Sequence, residues 1–205
     1  EYQNRSTLLL WVKIFIACLP VGILGVLLDN WIEEHMKSSL IIALTLIIYG
    51  IIFIVIESRG FKKEPIINKT SKIDYYTALY IGIFQVLSLV PGTSRSGATI
   101  IGAMLLGCSR SVAAEFSFFL GMPIILGASL LKIFKYSAAY TGSQLLYLLV
   151  GVLVAFFVSA YSVNFLINWV KKHDFKLFGY YRIVLGIIVL VWFMVSSLMK
   201  VTPTV

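Results

Sequence analysis

The chain has 205 residues, 60% of them hydrophobic and 13% charged, with a formal net charge of +8 and a mean hydropathy of +0.95. That balance excludes an ordinary soluble domain and describes an all-α, polytopic integral membrane protein. The positive charge comes without any nucleic-acid motif, so it belongs to cytoplasmic loops and contact with anionic lipid.

In chain order, the first span covers residues 8–28, with Lys13 close enough to its start to snorkel and with Pro20 and the Gly22/Gly25 pair permitting a kink or a close helix contact. The connection holding Asp29, Glu33, Glu34 and Lys37 has an acidic balance that suits the outer face. Residues 39–56 return. From Glu57 to Asp74, Arg59, Lys62, Lys63, Lys69 and Lys72 stand against three acids, which by the positive-inside bias makes this loop cytoplasmic. Residues 77–106 then read as a re-entrant broken helix. Its two apolar pieces, 77–90 and 98–106, are each too short to cross, since a crossing takes about 20 apolar residues. Arg110 sits at the exit, spans follow at 112–131, 145–170 and 180–199, and Lys171, Lys172 and Lys176 fall inside. Lys132 and Lys135 fall outside, against the bias. These spans form one transmembrane domain over residues 1–205. The sequence begins at Glu1 with neither Met nor the short apolar core of a signal peptide, so a piece of something longer is expected.

The break in the re-entrant segment is Pro91-Gly92-Thr93-Ser94-Arg95-Ser96-Gly97-Ala98-Thr99. Pro91 cannot continue the helical hydrogen-bond ladder and Gly92 accepts positive φ, so the first half-helix stops there. The second starts near Ser96 with free backbone amides at its positive end, a ready anion site. Arg95 adds a planar fork of donors matched to phosphate oxygens, and Thr93, Ser94, Ser96 and Thr99 add hydroxyls within one or two turns. Inside a membrane, a guanidinium and a non-helical backbone are tolerated only against protein or a wet cavity. The alternative, an Arg that snorkels to a headgroup beside helix-capping hydroxyls, fits less well with an Arg in mid-segment among four hydroxyls and two glycines.

Other signals read as structural. Gly102-Ala103-Met104-Leu105-Leu106-Gly107-Cys108-Ser109 nearly matches a phosphate-binding loop, but Cys108 replaces the required lysine and no strand precedes it. Glu115 lies a few residues into a span and is expected to pair with Arg110 or Arg95, to neutralise, or to help hold a metal. Gln85 and Ser88, three apart, share a helix face that either lines the cavity or bonds a neighbouring helix. His35 and His173 are read as solvated, Cys18 and Cys108 as free buried thiols, and Tyr180-Tyr181-Arg182 as an interfacial anchor. The residues alone leave two classes open: a transporter or channel binding an anion between broken helices, or an enzyme stabilising a transferring phosphoryl group. They lean toward the first, because a phosphatase wants a carboxylate cluster for metal or a nucleophile with a base.

From Phe84-Gln85, through the Pro91–Thr99 run, and on through Ser109-Arg110 and Ala114-Glu115-Phe116-Ser117-Phe118 to Pro123, the sequence closely resembles the undecaprenyl-pyrophosphate phosphatase family, also called bacitracin-resistance proteins. The likeness extends to the Tyr180-Tyr181-Arg182-Ile183 start of the last span. It overturns the lean toward transport and leaves a transporter or flippase for an anionic or lipid-phosphate substrate as the alternative. The resemblance implies a bundle of inverted repeats with re-entrant helices in the bacterial inner membrane. Its active site would face outward and remove the terminal phosphate of undecaprenyl pyrophosphate, recycling the carrier for peptidoglycan synthesis and giving bacitracin resistance. It makes Arg95 and Ser94 the catalytic residues, has Ser96 and Thr99 contact the pyrophosphate and has Gly92 and Gly97 shape the loop, while the residues themselves add Thr93 to the substrate-binding set and put Gln85, Ser88 and Glu115 behind it. It further implies Mg²⁺ or Ca²⁺ as cofactor. The expected partners are a lipid pyrophosphate, membrane lipids and a second copy in a homodimer, although the small-residue pairs serve contacts within a chain as readily as between chains. Members also carry paired glutamates followed by a Pro-Val-Ser-Ser-Thr-Gly-His run that supplies acidic and nucleophilic groups. Nothing like it occurs in residues 1–205, so the sequence is expected to correspond to the C-terminal three quarters of a member.

Overall fold

A computed structural model describes residues 2–59, 65–135, 142–170 and 173–201. Among them are seven α-helices: α1 (Tyr2–His35), α2 (Ser39–Arg59), α3 (Tyr75–Val86), α4 (Arg95–Leu105), α5 (Arg110–Lys135), α6 (Gly142–Val170) and α7 (Lys176–Val201). Short 3₁₀ turns at Thr70–Lys72 and Leu87–Leu89 flank α3. Five segments are long and apolar enough to cross a membrane: Thr7–His35, Ser39–Ser58, Arg110–Leu131, Gly142–Trp169 and Lys176–Ser197. The chain is a multi-pass membrane protein.

α3 and α4 are different. At 12 and 11 residues they rise only about 18 and 16 Å, roughly half of a hydrocarbon core of about 30 Å. Asp74 starts α3 by accepting a bond from the Thr77 amide at 2.8 Å; the Thr77 side chain and amide together hold the Asp74 carboxyl below its usual range. α3 and α4 pack on each other as a hairpin. Its base is closed by Ile67, whose amide donates to Gly107 O (3.0 Å) and whose carbonyl accepts from the Ser109 amide (2.9 Å). Lys13 of α1 adds a bond to Ser71 O at 3.3 Å. The hairpin's tip is the Val90–Ser94 loop.

The core lies where α1, α3, α4 and α5 meet, around Ile14, Ile81, Met104, Phe116 and Leu120. Small residues set the helix spacing. A side chain at Gly82 of α3 would run into the α1 backbone at Ala17. At Gly102 of α4 it would sit 2.5 Å from the Phe84 ring. In lipid, where tails are as apolar as leucine, such close approach is a main source of helix association. α2 has α7 as its principal partner, and α6 touches mainly α5 and is otherwise exposed.

Several expectations need correction. The close contact of α1 is at Ala17, not at the Gly22/Gly25 pair: a side chain at Gly22 would meet nothing within 4 Å, and one at Gly25 only Leu89 at 3.4 Å. α1 continues through Asp29, Glu33 and Glu34 to His35; Glu33 and Glu34 are good helix formers, and Glu33 is paired one turn on with Lys37. α4 starts at Arg95 with Ser94 as its cap, one residue ahead of the expected start, and α7 starts at Lys176 rather than 180. Lys62, Lys63, Lys171 and Lys172 lie outside the described residues.

Candidate active site

The tip of the hairpin is built by local rules. Val90-Pro91-Gly92-Thr93 closes with a bond from the Thr93 amide to Val90 O at 3.1 Å, and Gly92 has φ +88°. Proline second and a left-handed glycine third are the type II turn pattern. Ser94, extended at φ −72° and ψ 123°, then caps α4: its Oγ accepts from the Gly97 amide at 3.1 Å and its carbonyl from the Ala98 amide at 2.9 Å. The amides of Arg95 and Ser96, first in the helix, have no carbonyl within helical reach. Ser96 Oγ lies 3.1 Å from Ser94 Oγ. Thus two amides and two hydroxyls converge at the positive end of α4.

Arg95 leaves this end and lies across α5. Its Nη1 donates to Ser117 O over a long 3.4 Å, and its guanidinium rests on Gly121, where a side chain would come within 2.5 Å of Nη2. No ion pair ties Arg95 to a carboxylate among the described residues. A guanidinium carries five donors, so one long bond leaves most of the fork available to an anion.

Thr99 plays another part. It is fully buried, its hydroxyl facing Arg95 O and Ser96 O (both 3.1 Å) and Ser117 Oγ (2.6 Å). It therefore braces α4 against α5 beneath Arg95 instead of facing the anion. Gly97 is buried, with Phe53 of α2 about 3.0 Å from where its side chain would be. Thr93 Oγ1 is buried with no hydrogen-bond partner among the described residues.

The residues expected behind the site separate. Gln85 is 0% exposed and so lies in the packed core, and neither atom of its amide has a hydrogen-bond partner among the described residues. Ser88 Oγ donates to Gln85 O at 2.6 Å. Glu115 pairs with neither expected arginine: Thr70 Oγ1 donates to it at 2.7 Å, and Arg110 donates Nε to Glu57 Oε1 at 2.6 Å within an ion pair. The reason is helical geometry. Two residues apart on α5, Glu115 and Ser117 point about 200° apart, so Glu115 opens into a separate cleft of about 460 Å³ with Asn68, Lys69 and Ser111. His35 and His173 are exposed and stacked on Trp31 and Trp169, at 5.1 and 4.6 Å. Among the described residues no group of three or more His, Cys, Asp or Glu side chains comes together as a metal site.

One residue at the loop was missed by its sequence context. Arg182, expected at the interface beside Tyr180 and Tyr181, is only 9% exposed, and its Nη2 donates to Gly92 O at 2.7 Å. Tyr180 and Tyr181 do stay exposed. The readable signal was spacing: Gly179 and Gly186 flank Arg182 on one helix face.

Comparison with known proteins agrees with the geometry. Residues 1–188 match the family described as bacitracin resistance protein BacA. An undecaprenyl-diphosphatase of Enterococcus faecalis is 52% identical over 197 residues, covering 93% of this chain and 71% of that protein. Those of Acetivibrio thermocellus and Lactobacillus delbrueckii subsp. bulgaricus are 48% and 54% identical, covering 93% and 91% of this chain and 70% and 69% of theirs. With its hairpin tip, its uncommitted arginine and a match over nearly its whole length, the chain belongs to the bacitracin resistance protein family.

Proposed function

We infer that the protein is an undecaprenyl-diphosphatase: it hydrolyses undecaprenyl pyrophosphate to undecaprenyl phosphate and inorganic phosphate. That reaction returns the lipid carrier to cell-wall synthesis and confers bacitracin resistance. The observation that carries this reading to particular residues is the Arg95 guanidinium, which starts from the first residue of α4 and is held on Gly121 of α5 without a carboxylate partner among the described residues.

In hydrolysis a water oxygen bonds to the terminal phosphorus, the bond from that phosphorus to the bridging oxygen breaks, and the electron pair leaves with the lipid monophosphate. Charge grows on the bridging and equatorial oxygens. The Arg95 and Ser96 amides and the Arg95 fork bind that charge, and they are fixed before the substrate arrives. Ser94 accepts the Gly97 amide with a lone pair, and with Ser96 Oγ as the donor of the Ser94–Ser96 pair its own proton goes to a phosphate oxygen. Gly92 gives the loop its shape, Gly97 lets the first turn of α4 approach Phe53, Thr93 lends a hydroxyl, and Thr99 holds Arg95 from below. A divalent cation would neutralise the pyrophosphate. The lysine-bearing base of the hairpin lies on the cytoplasmic side of the bacterial inner membrane and the tip opens outward. A homodimer would bury part of the apolar surface of α6.

Phosphate release from undecaprenyl pyrophosphate by the purified protein in detergent, with and without Mg²⁺ or Ca²⁺, tests the reading. Release that Arg95→Ala abolishes in a folded protein supports it. Binding of the lipid without release, in every metal condition, overturns it in favour of transport.

A further inference from the structure

We propose that Arg182 is a positioning residue of this site, holding the back of the tip loop so that its amide side stays turned to the phosphate. The proposal rests on the phosphatase reading above.

Gly179, Arg182, Ile183 and Gly186 fall at positions i, i+3, i+4 and i+7 of α7, so they share one face. That face is seated on α2. A side chain at Gly179 would lie 2.8 Å from Gly50 O, one at Gly50 2.8 Å from Gly179 O, and one at Gly186 2.9 Å from Ala43 O. Backbone-to-backbone approach of this kind fixes where Arg182 leaves its helix. Its guanidinium then passes 6.0 Å from the Tyr49 ring centre and ends on Gly92 O.

The preceding carbonyl is held in the same way. Thr45 Oγ1 of α2, whose single proton also has Ile41 O and Ile42 O of its own helix in reach at 2.9 and 3.0 Å, lies nearest to Pro91 O at 2.8 Å, directly behind the left-handed Gly92. Two consecutive carbonyls of the loop are thus taken by side chains from two helices packed on each other. This matters for an anion site, because carbonyl oxygens turned toward a phosphate would repel it, whereas turned away they leave the succeeding amides facing forward. A neutral donor serves Pro91. At Gly92, next to the hydroxyls and amides of the α4 end, a charge-assisted bond does so with about twice the strength of a neutral one. The loop is stiffened from the α2/α7 side, while Arg95 is stiffened from the α5 side.

Removing the grip should therefore act on turnover more than on binding, since a loop displaced by about 1 Å costs on the order of 100-fold in rate. The test uses the protein at its natural length, with phosphate release from undecaprenyl pyrophosphate measured per folded molecule alongside a melting curve. Arg182→Met should lower kcat by about 30-fold or more, leaving KM within about threefold. Thr45→Val should lower kcat by about 10-fold. The double variant should lose less than the product of the two, because both bonds hold one loop. Wild-type kcat in folded Arg182→Met overturns the proposal. If that variant does not fold, wild-type kcat in Thr45→Val overturns it, as does a fully multiplicative double variant. Failure of the phosphatase reading is separate: the unaltered protein would release no phosphate.

Discussion

The two ends of the α3–α4 hairpin treat charge in opposite ways. At the base, Arg110 is spent on Glu57 and Glu115 takes the hydroxyl of Thr70, so the protein satisfies its own ions. At the tip, Arg95 has one long bond to a carbonyl, and the first amides of α4 have no acceptor within the helix. Both arginines adjoin the start of a helix and both contact neighbouring helices. The difference is the partner: a carboxylate with a 2% exposed side chain at the base, a carbonyl and a glycine platform at the tip. A protein that leaves a half-buried guanidinium with so little company is arranged for a ligand that completes it, and hydrolysis of a lipid pyrophosphate supplies such a ligand.

That contrast can be broken from either end. Arg95→Ala should give the largest effect, a fall in kcat of about 100- to 1,000-fold with the melting temperature nearly unchanged. Arg95→Lys should remain well below wild type, because a point charge does not reproduce the fork. Arg110→Ala should reverse the pattern. It strands the buried Glu57 carboxylate and should lower stability by about 2 kcal/mol, less than for a fully buried pair because Arg110 is partly exposed. Turnover per folded molecule should stay within about twofold. Loss of turnover without loss of stability in Arg110→Ala would erase the distinction between the two ends. Gly121→Val sharpens the tip side: its side chain occupies the guanidinium's seat, and kcat should drop by about tenfold, or 1.4 kcal/mol, read from the same release assay.

Much of this was legible in the residues, and what was not has a physical cause. The half-helices, the turn at Pro91-Gly92 and the serine-capped start of α4 follow from local rules of backbone and capping, and the fold obeys them. Arg95 could be picked out because a charge is costly in mid-membrane. Its seat on Gly121 could not, since that depends on how α4 meets α5. Arg182 looked like an interfacial anchor because Tyr180 and Tyr181 precede it; only the packing of Gly179 and Gly186 on α2 turns it inward. Glu115 was the reverse case. Its nearness in sequence to Arg110 suggested a pair, but Arg110 turns to Glu57, a partner 53 residues away. Thr99 shares the tip's sequence run with Ser94 and Ser96, yet it lies on the next turn and on the buried face.

The smallest effect separates two tasks of one hydroxyl. Ser94 Oγ caps α4 through the Gly97 amide, and in the proposed mechanism its proton goes to a phosphate oxygen. Alanine removes both functions. Glycine removes the hydroxyl too, but it is tolerated at a helix cap at a cost of only a few tenths of a kcal/mol, against about 1 kcal/mol for alanine. Ser94→Ala and Ser94→Gly should therefore lose kcat/KM alike, by about three- to tenfold, the worth of one neutral hydrogen bond. Only the alanine variant should lose about 1 kcal/mol in a melting curve. If activity instead follows stability, falling in alanine and surviving in glycine, the hydroxyl serves the helix alone, and phosphate binding at the tip falls to the backbone amides, Arg95 and Ser96.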